Sequence, residues 1–108
     1  MKPTLGDLEQ LVLLALLRLG QDAYGVTVQQ EIVTRTSREV SLGAVYSTLA
    51  RLEEKGFVRT RIGDPTPTRG GRRKKLYLVQ PAGREAVREA LRALRALSQG
   101  LAPALGLS

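Results

Sequence analysis

The chain has no cysteine and no histidine among its 108 residues. Disulfides are therefore excluded, as are cysteine- or histidine-ligated metals and Ser-His-Asp or Cys-His catalysis. No other nucleophile–base pair and no phosphate-cradling loop emerges, so the chain does not read as an enzyme and calls for no cofactor. Aromatic residues are scarce: Phe57 and three tyrosines, few stacking platforms for an RNA binder. The apolar stretch from Leu11 to Leu17 falls far short of the roughly 20 residues that span a bilayer. Only Lys2 precedes it as a cation, Asp7 and Glu9 intervene, and no small-residue cleavage site follows, so it does not read as a signal peptide. A buried helix in a cytoplasmic protein is the expectation.

What is present is positive charge, unevenly placed. The net charge is +7, from 17 basic and 10 acidic side chains. Residues 1–40 are net −1, while residues 63–80 alone are net +4. A basic patch confined to one short segment is the footprint of a polyanionic partner, although it also serves general solubility. The length and the 43% hydrophobic content fit one compact domain with a single core.

The apolar spacing sets the element order. Thr4-Leu5-Gly6-Asp7 resembles a capping box, after which Leu5, Leu8, Leu11, Val12, Leu16 and Leu19 recur at helical spacing until Gly20. A second helix is predicted from about Tyr24 to Thr36, presenting Val28, Ile32 and either Val33 or Arg35, with a brief strand at Val40. Ser41 is a good N-cap for a third helix over 42–55, whose core face is Val45, Leu49 and Leu52 and whose stop is Gly56. Phe57 to Ile62 and Lys75 to Val79 read as two strands of an antiparallel hairpin with a long basic tip. Pro81 suits the first position of a final helix carrying Leu91, Leu94, Leu97 and Leu101, which Gly100, Pro103 and Gly106 would fray. Helix, helix, helix, strand, strand, helix is the plan of a winged helix-turn-helix. The fold class is mainly α with a small β-hairpin. Residues 1–80 would form the DNA-binding unit and 81–108 a C-terminal dimerisation helix and tail.

Three features carry candidate function. The third helix offers Ser41, Gly43, Ala44, Tyr46, Ser47 and Thr48, mostly small and none acidic, as a surface able to enter a major groove. Arg51 and Lys55 follow on its outward side for phosphates. An ordinary amphipathic helix would show the same pattern. In the hairpin tip, Arg69, Arg72, Arg73 and Lys74 cannot bury their charge cheaply, so they face solvent or a counter-charge such as a DNA backbone or minor groove. In the last helix, Val87, Leu91, Leu94, Ser98 and Leu101 follow a coiled-coil spacing, and Leu97 adds to the same apolar side. They pack onto the chain's own first helix, or with Leu8 and Leu11 they build a dimer core, and both hold if the first and last helices share that core.

Several stretches together resemble the PadR-like transcriptional regulators. They are Leu14-Ala15-Leu16-Leu17 with Ala23-Tyr24-Gly25, then Ser41-Leu42-Gly43-Ala44-Val45-Tyr46-Ser47-Thr48-Leu49 continued by Arg51-Leu52-Glu53-Glu54-Lys55-Gly56-Phe57-Val58. Gly70-Gly71-Arg72-Arg73-Lys74-Lys75-Leu76-Tyr77 resembles the wing of that family, and Pro81-Ala82-Gly83-Arg84-Glu85-Ala86 the opening of its final helix. The sequence departs from the pattern at Leu42 and Ser47, where prolines are common, and at Gln80, where a threonine cap is usual. The resemblance implies a bacterial, homodimeric, sequence-specific binder of double-stranded DNA, usually a repressor released by a small-molecule effector. A winged-helix module that binds an acidic protein partner is the alternative.

Overall fold

The computed structural model describes residues 5–65 and 73–107. Helix α1 (Asp7–Leu19) is followed by a single 3-10 turn (Gly20–Asp22), α2 (Gly25–Thr36) and α3 (Leu42–Glu54). Strands β1 (Val58–Pro65) and β2 (Arg73–Val79) pair antiparallel, and α4 (Pro81–Ser98) and a short α5 (Ala102–Leu105) close the chain. Helix α1 is the hub, packing against α2, α3 and α4. Its Val12, Leu13 and Leu16 meet Val28 and Ile32 of α2, Val45, Leu49 and Leu52 of α3, and Phe57, Val58, Tyr77 and Val87 in one core.

Local signals place most boundaries. The Ser41 hydroxyl accepts the Ala44 N–H at 3.1 Å, as an N-cap should. Gly56 takes φ 76° where the chain turns from α3 toward the hairpin. Pro81 opens α4 after an N-cap at Gln80 that makes no side-chain bond, so the departure from threonine does remove a cap. Gly83 is needed for a different reason. A Cβ there would lie 2.3 Å from the Phe57 carbonyl oxygen, so only glycine lets α4 come down onto the link between α3 and β1.

The structure corrects several expectations. Helix α1 begins at Asp7 with Gly6 as its N-cap, and the Glu9 carboxylate accepts the Gly6 N–H at 2.7 Å. Asp7 instead pairs with Arg38 across the surface, and Thr4 lies outside the described residues. On α2 neither Val33 nor Arg35 joins the core; both are exposed, because Val28 and Ile32 already fill the groove toward α1 and α3. Val40 is half-buried but not a strand. Ile62 lies opposite Lys75, past the Thr60–Tyr77 rung, and is 59% exposed although it is apolar. The final helix does not fray gradually. It stops at Ser98, turns at Gly100 with φ 82°, and re-forms as α5.

The hairpin is not regular. Between the pairs Ile62–Lys75 and Pro65–Arg73, two residues of β1 oppose one of β2, a bulge at Gly63 and Asp64. On its other side β2 is tied down by the Tyr77 N–H, which donates to the Ala23 carbonyl at 2.9 Å. At the base of the wing, β2 is thus held along both of its edges. Among the described residues, no helix is long and apolar enough to cross a membrane.

Candidate nucleic-acid interface

The outward side of α3 carries most of what the sequence assigned to it. Ser41, Gly43, Tyr46, Ser47 and Arg51 are exposed and Ala44 is half-buried. A Cβ at Gly43 would meet nothing within 4 Å, so the first turn presents bare backbone to whatever approaches. No acidic residue sits in that turn. Glu53, nearer the C-terminal end, is turned to the hairpin, where it accepts the Thr60 hydroxyl at 3.4 Å and lies 3.9 Å from Lys75.

Two assignments on this helix are overturned. Thr48 is fully buried, its hydroxyl donating to the Ala44 carbonyl at 2.8 Å and accepting from Arg51 Nη2 at 3.2 Å. It therefore steadies Arg51 rather than reaching a base. Lys55 turns inward, its ammonium donating to both carboxylate oxygens of Glu9 at 2.9 and 2.7 Å, and is not on the outward side of the helix. Burial by itself would raise the Glu9 carboxyl. The Lys55 and Gly6 hydrogen bonds and the charges of Lys55 and Arg51 outweigh it and hold the group below the ordinary carboxylate range.

In the wing, Lys74 is anchored rather than waving. Its ammonium lies 4.2 Å from the centre of the Tyr24 ring and donates to the Tyr24 hydroxyl at 3.1 Å. Arg73 has its backbone in β2 opposite Pro65. Arg69 and Arg72 lie outside the described residues.

Tyr24 and Gly25 were not among the sequence-assigned DNA contacts, yet they connect the two elements that were. A Cβ on Gly25 would fall 2.4 Å from the Tyr46 ring, so the glycine is the seat on which Tyr46 of α3 rests. Its neighbour Tyr24 holds Lys74 of β2. The start of α2 thus fixes α3 and the wing base to one another. The sequence signal was a glycine at a helix start, and only a knowledge of what packs there gives it meaning.

In the last helix, Val87 belongs to the chain's own core at 3% exposure, while Leu91, Leu94 and Leu97 stand in solvent. Leu8 and Leu11 are half-buried against the core. Among the described residues, no acidic cluster is arranged to hold a metal.

Residues 13–89 match the transcriptional regulator PadR-like family, which is well over half of the chain. The chain belongs to the PadR-like family. Solved structures agree on the fold. A PadR family transcription regulator from Clostridium difficile superposes with a TM-score of 0.76 at 22% identity, covering 93% of this chain and 99% of the other. A PadR-like regulator from Bacillus cereus gives 0.71 at 19% identity, with 91% and 90% covered. F93 from STIV, a winged-helix DNA-binding protein, gives 0.65 at 18% identity, covering 84% and 90%. Comparison with curated protein sequences finds no match. This PadR-like protein is a DNA-binding transcriptional regulator with a winged helix-turn-helix and one long C-terminal helix.

Proposed function

We propose that this PadR-like regulator works as a homodimer that recognises a near-palindromic operator and represses transcription until a small-molecule effector releases it. The observation that carries the dimer is the outer half of α4 and the tail beyond it. Leu91, Leu94, Leu97, Leu101, Leu105 and Leu107 are 40–84% exposed, and every described residue from 91 onward is exposed. Leaving so many leucines in water forgoes at most about 1.5–3 kcal/mol for each that a partner would bury, less for those already half covered. A second copy brings the same helix and the half-covered Leu8 and Leu11, which makes a self-complementary interface. The repressor and effector parts of the reading rest on what the family resemblance implies.

Two α3 helices in such a dimer address half-sites about 34 Å apart. Ser41, Gly43, Ala44, Tyr46, Ser47 and Arg51 approach base edges or nearby phosphates. Arg69, Arg72, Arg73 and Lys74 grip the backbone or minor groove. Selection of duplexes from a random pool tests the whole reading, with an inverted repeat as the expected winner. If about six phosphates are neutralised, affinity falls about a thousandfold between 50 and 200 mM salt. Tyr46→Ala and Ser47→Ala should erode preference for the operator, whereas Arg72→Ala and Arg73→Ala should weaken operator and random DNA alike. A pool that yields no winner, with a flat salt response, would point to an acidic protein partner instead.

A further inference from the structure

A cleft of about 360 Å³ opens between the base of the hairpin and the segment that joins α1 to α2, lined by Asp22, Tyr24, Arg61, Gly63, Lys74 and Leu76. Three separate elements bring hydrogen-bond donors to it. Arg61 comes from β1, Lys74 from β2 and the Tyr24 hydroxyl from the start of α2. Arg61 and Leu76 are register partners, so their side chains share the hairpin face turned toward this cleft.

Both cations are held in place by neutral groups. Arg61 Nη2 donates to the Gln21 carbonyl at 3.4 Å. A guanidinium has five donors, so this contact leaves capacity for an oxyanion. Lys74 sits over the Tyr24 ring and donates to its hydroxyl at 3.1 Å. That phenol still has its own O–H to give.

Charge and shape select among anions. Two cations and the one carboxylate of Asp22 give the lining a net charge of +1. That matches a phosphodiester, which carries one negative charge, better than a phosphate monoester approaching two. Gly63 and the largely buried Leu76 add an apolar floor beside the cations, which suits the face of a sugar. The volume is larger than a phosphate group alone requires.

We infer that this cleft clamps one phosphodiester–deoxyribose unit of the DNA backbone. Arg61 and Lys74 bind the phosphate, the Tyr24 hydroxyl donates to it, and Leu76 lies under the sugar. The Tyr24 ring is a positioning group for Lys74. The inference rests on the DNA-binding reading above and extends it, because Arg61 and Tyr24 belong neither to the α3 face nor to the wing tip.

The test uses the selected operator duplex carrying a single uncharged methylphosphonate linkage, moved one position at a time across a half-site. Affinity for the full-length protein and for Arg61→Gln is measured by fluorescence anisotropy over a range of salt. Arg61 is exposed, so the substitution leaves the fold intact, which circular dichroism checks. Arg61→Gln should lower affinity about tenfold and flatten the salt slope by about 0.9, the loss of one phosphate contact. At one position the methylphosphonate should weaken the wild type about tenfold yet leave Arg61→Gln no weaker than before, since the variant has already lost that contact. Tyr24→Phe, which keeps the ring over Lys74, should lose only about threefold. An Arg61→Gln protein with the wild-type slope, or equal methylphosphonate losses at every position in both proteins, overturns the clamp alone. A wild type that binds no duplex overturns the clamp and the regulator reading together.

Discussion

Helices α1 and α4 carry the same residue at the same kind of spacing and meet opposite fates. Leu13 and Leu16 of α1 are 0% and 2% exposed, whereas Leu94 and Leu97 of α4 are 58% and 84% exposed. The division falls within α4 itself. Its first two turns are seated in the core through Gly83 and Val87, and the apolar stripe then continues past the last surface this chain offers. The radius of gyration, 15.7 Å, exceeds the roughly 13 Å of a compact domain of this length, as a projecting helix requires. Periodicity declares that a helix has an apolar side. It does not declare which chain covers that side.

The sharpest way to break the comparison is to charge the exposed stripe. Leu94→Glu combined with Leu97→Glu removes four leucines from a symmetric interface and sets carboxylates against each other. The dimer dissociation constant should rise at least about a thousandfold, equivalent to about 4 kcal/mol. Sedimentation equilibrium measures this, and far-UV circular dichroism at the same concentration should remain helical. A variant that sediments like the wild type would mean that the stripe is not the interface.

The matching change on α1 should act on folding instead. Leu16→Ala opens a cavity among residues of one chain and should cost about 3 kcal/mol of stability. Urea unfolding at several protein concentrations would separate the two cases. For Leu16→Ala the loss is already complete in the folded protomer and does not depend on concentration. A loss that vanished at high concentration would place Leu16 in the interface and dissolve the contrast.

What was legible in the sequence follows the same division between local and distant causes. The Ser41 cap, the Gly56 stop, the Pro81 start and the face made by Val45, Leu49 and Leu52 are set within a turn or two, and the chain's own spelling announces them. The solvent-facing side of α3 was legible because it is the complement of that core face. Thr48 was misjudged as a reader because it is polar, yet it lies three residues after Val45 on the inward side, where the Ala44 carbonyl satisfies its hydroxyl. Lys55 and Glu9 are 46 residues apart, and Lys74 and Tyr24 are 50 apart. No local pattern joins such pairs, so both contacts, and with them the cleft at the wing base, emerge only once the helices are packed.

Charge pairs on the two helices give the smallest and finest contrast. Glu9 of α1 is 5% exposed and bonded to Lys55, while Glu85 of α4 pairs with Arg88 at 2.6 Å with both side chains about half exposed. Glu9→Gln leaves a partly buried ammonium without its counter-charge and should cost about 2 kcal/mol at neutral pH. Glu85→Gln should cost under about 0.5 kcal/mol, since water and salt screen that pair. The pH dependence separates them further. Because the folded protein holds the Glu9 carboxyl below its usual value of 4.5, its contribution is complete above that value and drains away as the pH falls through the folded-state value. Wild-type stability should therefore decline on acidification below about pH 4.5, more steeply than that of Glu9→Gln, in urea melts taken from pH 6 to pH 3. Equal slopes would mean that the Glu9 pair is no better sheltered than the exposed pair on α4.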